Sequence, residues 1–420
     1  MSEKQIFTVA ILGAGARGAL TYGRLMNRRT EQFDIISLCD MREDRLERFS
    51  KEFGVKPENC FTDENEFFKQ RRADLLVIAT QDDDHVRHCL RAFELGYDVM
   101  LEKPITEKKE ECEALLAAQE KYGNRALVCH VLRYAPAYRK VAELLDVGEI
   151  GRLVAIDLLE PVGYWHQAHS YVRGNWRTTE SAAPMILAKC CHDLDLLQWW
   201  AKSRCVSVSS VGDLTFFNEQ NAPEGATAKC LDCPHVDSCA YSAKRIYLDM
   251  WKENGSRADF WPTDVFVSYP LTEEKILADL ATSPYGRCVF HCDNNVVDHQ
   301  MTQMTFENGV KASLTMTAFT IMGGRRATFY GTQGELTMDD DAVTLKPFGK
   351  EPIVYSIATL LDGGYATHGG GDEGMIRSLY DMLSGGGTLS TSLAASVESH
   401  LMGIAAEESR LAGGALVKVH

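Results

Sequence analysis

Residues 9–18 read VAILGAGARG, and this stretch decides the fold of the first part of the chain. A short apolar run meets a Gly-x-Gly-x-x-Gly loop formed by Gly13, Gly15 and Gly18, and apolar residues at helical spacing follow it. This order of strand, tight turn and helix is the context in which the glycine pattern indicates dinucleotide binding. The loop backbone can approach a pyrophosphate, and the positive end of the helix dipole favours the anion.

A second predicted strand, residues 34–39, supports this interpretation because it ends in Asp40, about 20 residues after the loop. An acidic residue at that distance holds the adenosine ribose 2′-hydroxyl of NAD, and its charge repels the 2′-phosphate of NADP. Arg42 and Arg45 follow, so use of both nucleotides stays open. The sequence therefore predicts a nicotinamide dinucleotide, with NAD favoured over NADP.

Composition and charge restrict the class of protein. The chain has 420 residues, of which 45% are hydrophobic and 25% charged, and its net charge is −15. It is long enough for two or three domains, and its negative charge disfavours nucleic acid and anionic membranes as partners. The N-terminal residues carry no apolar signal segment, and no apolar run of about 18 residues occurs. We expect a cytoplasmic protein whose 13 cysteines are thiols or metal ligands.

Strands and helices alternate over the first 130 residues. The predicted elements after the second strand are a helix at 42–53, a strand at 73–80, a helix at 82–95, a strand at 97–101, a helix at 107–122 and a strand at 126–130. A repeating strand–helix order predicts an α/β fold with a doubly wound parallel sheet. We place this Rossmann domain at residues 1–130.

The pattern changes after residue 130. Residues 310–318 alternate apolar and polar side chains, as in a half-buried strand, and Asn308-Gly309 predicts a hairpin with about residues 300–306. Further strands are predicted at 152–160, 327–330, 335–338 and 342–345. We therefore expect a second, α+β domain with a mostly antiparallel open sheet. It spans residues 131–420, with a cysteine-containing insertion or lid at 215–298 and C-terminal helices at 372–411.

Two residues are candidates for chemistry at the cofactor. Lys103, in LEKP, ends a strand at the edge where such sheets bind ligands, and the cationic ring of NAD⁺ would lower its pKa. His192 and Asp195 lie three residues apart and share a helix face, and imidazole can take the proton of an alcohol as hydride departs. A solvated turn lysine and a satisfied core histidine are the alternatives.

Several segments together resemble the glucose–fructose oxidoreductase / inositol dehydrogenase / MocA family: GAGARG at the loop, ATQDDDHV at 79–86, EKP at 102–104, RYAPAY at 133–138, GEIGRL at 148–153 and the HDLD run from His192. The resemblance covers essentially the full chain, with an expanded middle. It implies a Rossmann domain and a sheet domain often used for oligomerisation, so we expect a homodimer or homotetramer. It also implies NAD(P)-linked chemistry on sugars, cyclitols or their derivatives.

The resemblance also assigns roles to residues. It implies that Lys103 and His192 are catalytic. The expected cofactor contacts are Gly13, Ala14, Gly15, Ala16, Arg17, Gly18, Asp40, Thr80, Gln81, His85, Glu102 and Lys103.

One position departs from the family. Many of its dehydrogenases carry an Asp four residues before the catalytic His, where this chain has Ala188. Asp195 or a residue from elsewhere must then orient the imidazole, or the chemistry differs. Three functions stay open: an NAD-dependent oxidoreductase acting on a secondary hydroxyl of a sugar or polyol, a redox glycosidase that oxidises its sugar transiently, and a non-catalytic NAD-binding protein.

A loop at 164–177, YWHQAHSYVRGNWR, is a candidate for substrate binding because aromatic rings stack on sugars and its cations bind hydroxyls or a carboxylate. The alternative is a polar surface loop stabilised by its tryptophans. His368 and Asp372 are a further candidate pair, for which a helix N-cap role of Asp372 is the alternative. The expected substrate contacts are Tyr164, His169, Arg173 and Asp195.

Cys230, Cys233 and Cys239 form a C-x2-C-x5-C cluster. In a reducing compartment this spacing predicts a structural Zn²⁺ site that ties down an insertion lacking its own core. Unpaired buried thiols and an iron–sulfur cluster are the alternatives. The fourth ligand stays open among Cys288, Cys292, His235 and His291.

Overall fold

The first part of the chain forms a parallel sheet, as predicted. The computed structural model describes residues 5–361, 367–387 and 389–420. Within these, six strands pair in the order β3-β2-β1-β4-β5-β6, all parallel. Continuous apolar runs such as that of β4 are buried on both faces, which is typical of a parallel sheet between helices. The strands are β1 Phe7–Leu12, β2 Phe33–Cys39, β3 Cys60–Phe61, β4 Leu75–Ile78, β5 Asp98–Leu101 and β6 Ala126–Val128.

Helices follow the strands of this sheet. The segment after the glycine loop, Ala16–Gly23, is wound as a π-helix and continues as an α-helix. Two longer helices end at Gly54 and Gly123, whose φ angles of +74° and +73° are those of left-handed caps. The α-helices are α1 Arg24–Asn27, α2 Glu43–Phe53, α3 Glu64–Phe67, α4 His85–Glu94 and α5 Lys109–Tyr122, with 3₁₀ turns at Pro57–Asn59, Asp82–Asp84 and Val131–Tyr134.

A second sheet of nine strands in the described residues follows, in the order β14-β13-β12-β11-β7-β10-β9-β8-β15. Its pairs are antiparallel except β7 with β10. The predicted hairpin is present: Leu314 pairs with Thr302, and Gly309 turns at φ +90°. The strands are β7 Leu153–Pro161, β8 Cys205–Asp213, β9 His299–Phe306, β10 Lys311–Thr317, β11 Arg326–Gly331, β12 Gly334–Met338, β13 Ala342–Pro347, β14 Ile353–Ser356 and β15 Val417–Lys418.

The helices of the second part pack on one another and on this sheet. They are α6 Pro136–Asp146, α7 Tyr164–His166, α8 Met185–Ala188, α9 Cys191–Ala201, α10 Met250–Glu253, α11 Glu273–Thr282, α12 Ile357–Leu360, α13 Gly371–Leu383 and α14 Leu393–Leu411. Shorter π or 3₁₀ segments occur at Gln167–Arg173, Glu219–Asn221, Cys230–Asp232, Lys244–Asp249, Thr263–Val265, Pro284–Gly286 and Thr367–Gly370. α14 packs against α9 and β8. Within the described ranges, we find no helix with the length and apolar character needed to cross a membrane.

The insertion has a hydrophobic core of its own, which corrects the expectation that it lacks one. This core is separate from the cluster that unites the two sheets. Polar contacts join the insertion to the Rossmann domain: Asp259 pairs with Arg24 and Arg48 at 3.4 and 3.1 Å. The guanidinium of Arg48 also lies 3.8 Å from the ring centre of Tyr269. Residues of the insertion core include Phe217, Ile246, Tyr247, Trp251, Ile276, Leu280, Tyr285 and Phe290.

Candidate functional site

A cavity of about 1640 Å³ lies at the carboxyl ends of the parallel strands and extends to the second domain and the insertion. Ligands bind at that edge of open α/β sheets. The predicted cofactor residues line this cavity, with the exception of Gly18, which is buried behind the loop. Lys103 and His192 line it as well. The structure therefore brings the glycine loop and both catalytic candidates to one cavity.

The glycine loop needs glycine at two positions for steric reasons. A Cβ atom on Gly13, whose φ is +91°, would lie 2.3 Å from the carbonyl oxygen of Ala79. A Cβ atom on Gly18 would lie 2.0 Å from the carbonyl oxygen of Gly13. By contrast, Gly15 faces only the side chain of Arg45 at 3.4 Å, so its surface is open to a ligand. This is the cradle that a pyrophosphate requires.

Asp40 lies directly against this loop. Its Oδ2 accepts a hydrogen bond from the backbone N–H of Ala14 at 2.7 Å, and its Oδ1 accepts one from the N–H of Arg42 at 2.9 Å. The guanidinium of Arg45 is 3.5 Å from Oδ2. The carboxylate thus stands at the end of β2 beside the loop, where a ribose hydroxyl would meet it.

A network of charges fixes the side chain of Arg17 beneath the loop. Its Nε pairs with Glu102 at 2.9 Å and its Nη2 with Asp372 at 2.7 Å. Tyr22 donates to the same carboxylate of Glu102 at 2.5 Å, and the His368 imidazole donates to Asp372 at 2.8 Å. Burial would raise the pKa of Glu102, but the charges of Arg17 and Lys103 outweigh it, and the pKa is lowered. Glu102 therefore stays ionised and positions the loop.

Lys103 enters the cavity next to this network. Its Nζ donates to the carbonyl oxygen of Ala188 at 3.4 Å. Burial opposes its charge, but the neighbouring Cys191, Glu102 and Asp82 outweigh it, and the pKa of Lys103 is raised. The ammonium group is thus charged at neutral pH before any nucleotide binds.

His192 is the second catalytic candidate that lines the cavity. Burial lowers its pKa well below the usual value of 6.5, and the positive charge of Lys103 and the imidazole of His130 act in the same direction. The two imidazole rings meet edge to face at 5.7 Å. Its Nδ1 is buried and has no hydrogen-bond partner in the described part of the chain. His192 is therefore a neutral imidazole that can accept a proton.

Aromatic rings form another wall of the cavity. His166 and His169 come from the predicted substrate loop, and Trp261 and Tyr285 come from the insertion. The ring of His169 stacks on Tyr285 at 5.2 Å, and its Nδ1 lies 3.0 Å from the hydroxyl of Tyr247. Burial lowers the pKa of His169 to about 3, so this imidazole is neutral. Such a wall suits the apolar face of a sugar ring.

Family models match both domains of this arrangement. A model described as an oxidoreductase family, NAD-binding Rossmann fold, matches residues 7–130, and one described as its C-terminal alpha/beta domain matches residues 142–352. The chain belongs to the Gfo/Idh/MocA oxidoreductase family. It is thus an NAD-binding oxidoreductase, as the resemblance of its motifs implied.

Two curated relatives and one solved structure are similar to this chain to different extents. YteT of Bacillus subtilis (strain 168), named as an oxidoreductase, is 24% identical and covers 86% of this chain and 87% of its own length. The scyllo-inositol 2-dehydrogenase (NAD(+)) of the same organism is 29% identical over 34% of this chain and 41% of its own. An Agrobacterium radiobacter oxidoreductase, solved with NAD⁺, L-tartaric acid and magnesium, shares the fold at TM-score 0.69, with 15% identity over 98% of each chain.

Asp195 lies outside the cavity lining of this Gfo/Idh/MocA member. Only 1% exposed, it forms a two-pronged ion pair with the buried Arg133, at 2.6 and 2.7 Å, and it does not line the cavity. The spacing to His192 is helical, but α9 turns Asp195 toward Arg133. Asp195 is therefore a structural ion-pair partner in this structure and lies outside the cavity lining where substrate contacts are expected.

Two further substrate candidates also lie outside the cavity lining of this family member. The guanidinium of Arg173, which is 0% exposed, donates to the carbonyl oxygens of Arg287 and Tyr241, both at 2.7 Å. Tyr164 packs edge to face against Tyr241, with ring centres 5.9 Å apart. Because Arg173 and Tyr164 brace the insertion, His169 is the one of the four predicted substrate contacts that lines the cavity.

Sequence reasoning missed two cations that line the cavity. Lys189 pairs with Glu160 at 3.2 Å, and Arg325 pairs with Glu160 and Asp193 at 2.9 and 2.7 Å. Lys189 precedes His192 by three residues, so helical spacing offered a signal for it. No local pattern predicts the position of Arg325. It directly precedes β11, and the pairing of β11 with β7 brings it close to α9.

Proposed function

We propose that this enzyme moves a hydride between NAD and a secondary hydroxyl carbon of a sugar, a polyol or a sugar derivative. The observation that carries this proposal is the placement of Lys103 and His192 in the same cavity as the glycine loop. The aromatic wall supports a sugar-like substrate. Relatives named inositol 2-dehydrogenase support a substrate with several hydroxyl groups.

Each residue at the cavity has its own role in the proposed reaction. Bound NAD⁺ supplies the hydride acceptor. Neutral His192 takes the hydroxyl proton of the substrate as the carbon is oxidised. Charged Lys103 donates a hydrogen bond to the same oxygen and stabilises the negative charge that develops on it. Trp261, whose side chain is 40% exposed, stacks on the substrate, and Tyr285 holds the His169 side of the wall in place.

Two measurements test the proposal in sequence. Titration with NADH and NADPH, followed by nicotinamide fluorescence, establishes binding. A panel of inositols, aldoses, uronates and aryl glycosides is then screened with NAD⁺ for NADH formation. We expect NADH binding and oxidation of at least one sugar or cyclitol. Absence of binding at near-millimolar nucleotide would overturn the proposal.

A redox glycosidase is the second candidate, and one observation favours it. With Ala188 in place of an aspartate, the Nδ1 of His192 meets no carboxylate in the part of the chain that the structure describes. A glycosidase of this type oxidises the sugar, eliminates the aglycone, adds water and reduces the sugar again. It releases an aglycone from an aryl glycoside without net NADH, and solvent deuterium enters next to the oxidised carbon. Aglycone release without deuterium uptake would exclude this candidate.

Asp40 should determine the nucleotide preference. In the Asp40→Ser variant, the hydroxyl can still accept from the N–H of Ala14, but the charge facing the ribose is gone. Loss of a charge-assisted hydrogen bond, worth about 1.5–3 kcal/mol, is expected to weaken NADH binding by roughly tenfold or more and to relieve the repulsion of NADPH. The dissociation constants of both nucleotides check this.

The matched control is Asp34→Ser, on an exposed position of the same strand β2. It should leave both dissociation constants unchanged. An unaltered NADH/NADPH ratio in Asp40→Ser would mean that Asp40 does not contact the ribose.

The pH dependence of oxidation should reflect the environment of His192. Because burial and Lys103 lower its pKa well below 6.5, the imidazole stays neutral as pH falls to that value. We expect kcat/KM for oxidation to remain constant from about pH 8 to about pH 6.5 and to fall only below it. A pH–rate profile measures this, and an acid inflection near pH 7 would contradict the role of His192 as base.

A further inference from the structure

Four cysteine thiols from two distant segments surround one small cavity in the insertion. Cys230, Cys233, Cys239 and Cys288 all line this cavity of about 20 Å³, and all are free thiols. Two backbone contacts hold the segments together: Lys229 forms an antiparallel bridge with Arg287, and the N–H of Cys288 donates to Ala228 at 3.0 Å. The fold thus brings a fourth thiol to the C-x2-C-x5-C cluster.

The buried guanidinium of Arg173 lies next to the same cysteine cluster. The side chain of Arg173 is 0% exposed, and its Nη2 lies 3.5 Å from the Sγ of Cys230. Its other partners are backbone carbonyl oxygens, and in the described ranges no carboxylate pairs with it. A buried guanidinium without a counter-charge is costly. A negatively charged group at the cysteine cluster would supply that charge.

We propose that Cys230, Cys233, Cys239 and Cys288 bind one Zn²⁺ ion in a tetrahedral site. Four thiolates and one Zn²⁺ carry a net charge of −2, which Arg173 partly balances. As the side chains of the described residues stand, no three of them are arranged as ligands of a bound ion. The thiols must therefore turn toward the cavity centre and lose their protons to form Zn–S bonds of about 2.3 Å.

The geometry selects Cys288 among the fourth ligands that the sequence left open. Cys292 and His291 lie outside the cavity lining, and the Cys292 thiol donates to the carbonyl oxygen of Cys288 at 3.2 Å. His235 lines the cavity, but its Nε2 donates to the carbonyl oxygen of Glu224 at 2.8 Å. A site closed by four thiolates keeps no position for substrate, so its role is structural.

Such a site would fix the part of the insertion that reaches the cofactor cavity. Tyr285 precedes Cys288 by one short turn and stacks on His169 at the cavity wall. Since the insertion has a core of its own, loss of the metal should loosen this wall and leave the two sheets folded.

Metal analysis of the full-length protein, purified under reducing conditions without chelator, tests the proposal. We expect about one zinc per chain in the wild type and near zero in Cys233→Ser. The control variant Cys292→Ser should keep about one zinc per chain, because Cys292 lies outside the cavity lining. No bound metal in the wild type, or equal loss of zinc in both variants, would overturn the proposal.

A second measurement keeps the proposal testable if Cys233→Ser does not fold. The wild-type protein is stripped with a chelator, reloaded with Co²⁺ and examined by visible spectroscopy. Tetrahedral cobalt bound to four thiolates gives intense visible bands and a thiolate-to-metal charge-transfer band, and we expect both. Weak bands of octahedral cobalt, or iron with cluster absorption in the protein as purified, would contradict a tetrathiolate zinc site.

Discussion

Replacing His192 with Ala is expected to reduce kcat for sugar oxidation by about 10²- to 10⁴-fold, which is the contribution of a positioned general base. In the proposed reaction His192 takes the hydroxyl proton of the substrate. Its lowered pKa keeps the imidazole unprotonated at neutral pH. Steady-state rates at saturating NAD⁺ measure the loss. Fluorescence titration with NADH should give an unchanged dissociation constant, because His192 takes no part in the glycine loop.

Lys103→Met should produce a loss of similar size for a different reason. The raised pKa of Lys103 makes it a cation at neutral pH, so the variant removes the charge that stabilises the developing oxyanion. The matched control is Lys108→Met, an exposed lysine a few residues further along. Its kcat should stay at the wild-type value. Retention of more than about a tenth of the activity in either His192→Ala or Lys103→Met would contradict the proposed chemistry.

Breaking the ion pair of Arg133 and Asp195 should give the largest loss of stability. Asp195→Leu leaves the guanidinium of Arg133 buried beside carbonyl oxygens of Asp195 and Ser390 but without its carboxylate. The expected cost is about 3–5 kcal/mol in the free energy of unfolding. Denaturant unfolding measures it. Because Asp195 does not line the cavity, the folded fraction should keep its KM for substrate.

Two further variants separate the ion pair from general damage to the core. The double variant Arg133→Met/Asp195→Leu should be more stable than Asp195→Leu alone, because no buried charge is left unpaired. The exposed pair of Glu47 and Lys51 is the control: Glu47→Ala should leave the denaturation midpoint essentially unchanged, because solvent screens a surface ion pair. If the double variant is no more stable than the single one, the ion pair is not what Asp195 contributes.

Local sequence signals were sufficient for most of the fold. The glycine loop, the buried run at β4 and the Asn-Gly turn before β10 each carry a pattern that their own residues impose. The short strands β3 and β15 and the longer strands β8 and β14 were not predicted. β8, residues 205–213, is rich in serine, and it is a strand because β9 and α14 cover it, which no local pattern reveals.

The residues of the candidate site also fall into two groups: those that a local motif predicts and those that only tertiary packing brings to the cavity. The loop, Lys103 and His192 sit at fixed positions relative to their own strands and helices, so motifs locate them. The sequence did not reveal the ion pair of Asp195 with Arg133, because helical spacing predicts a shared helix face but not the residue that this face contacts. Trp261 and Arg325 were missed because they reach the cavity through tertiary packing, and neither has a nearby motif.

The separate core of the insertion has a consequence for how this enzyme can diversify. Tyr285, which lines the cavity, belongs to the hydrophobic cluster of the insertion and not to the cluster that unites the two sheets. Substitutions at such a position are therefore expected to reshape the cavity wall more than they disturb the nucleotide loop. We therefore expect the substrate range of a chain built this way to change more readily than its nucleotide site.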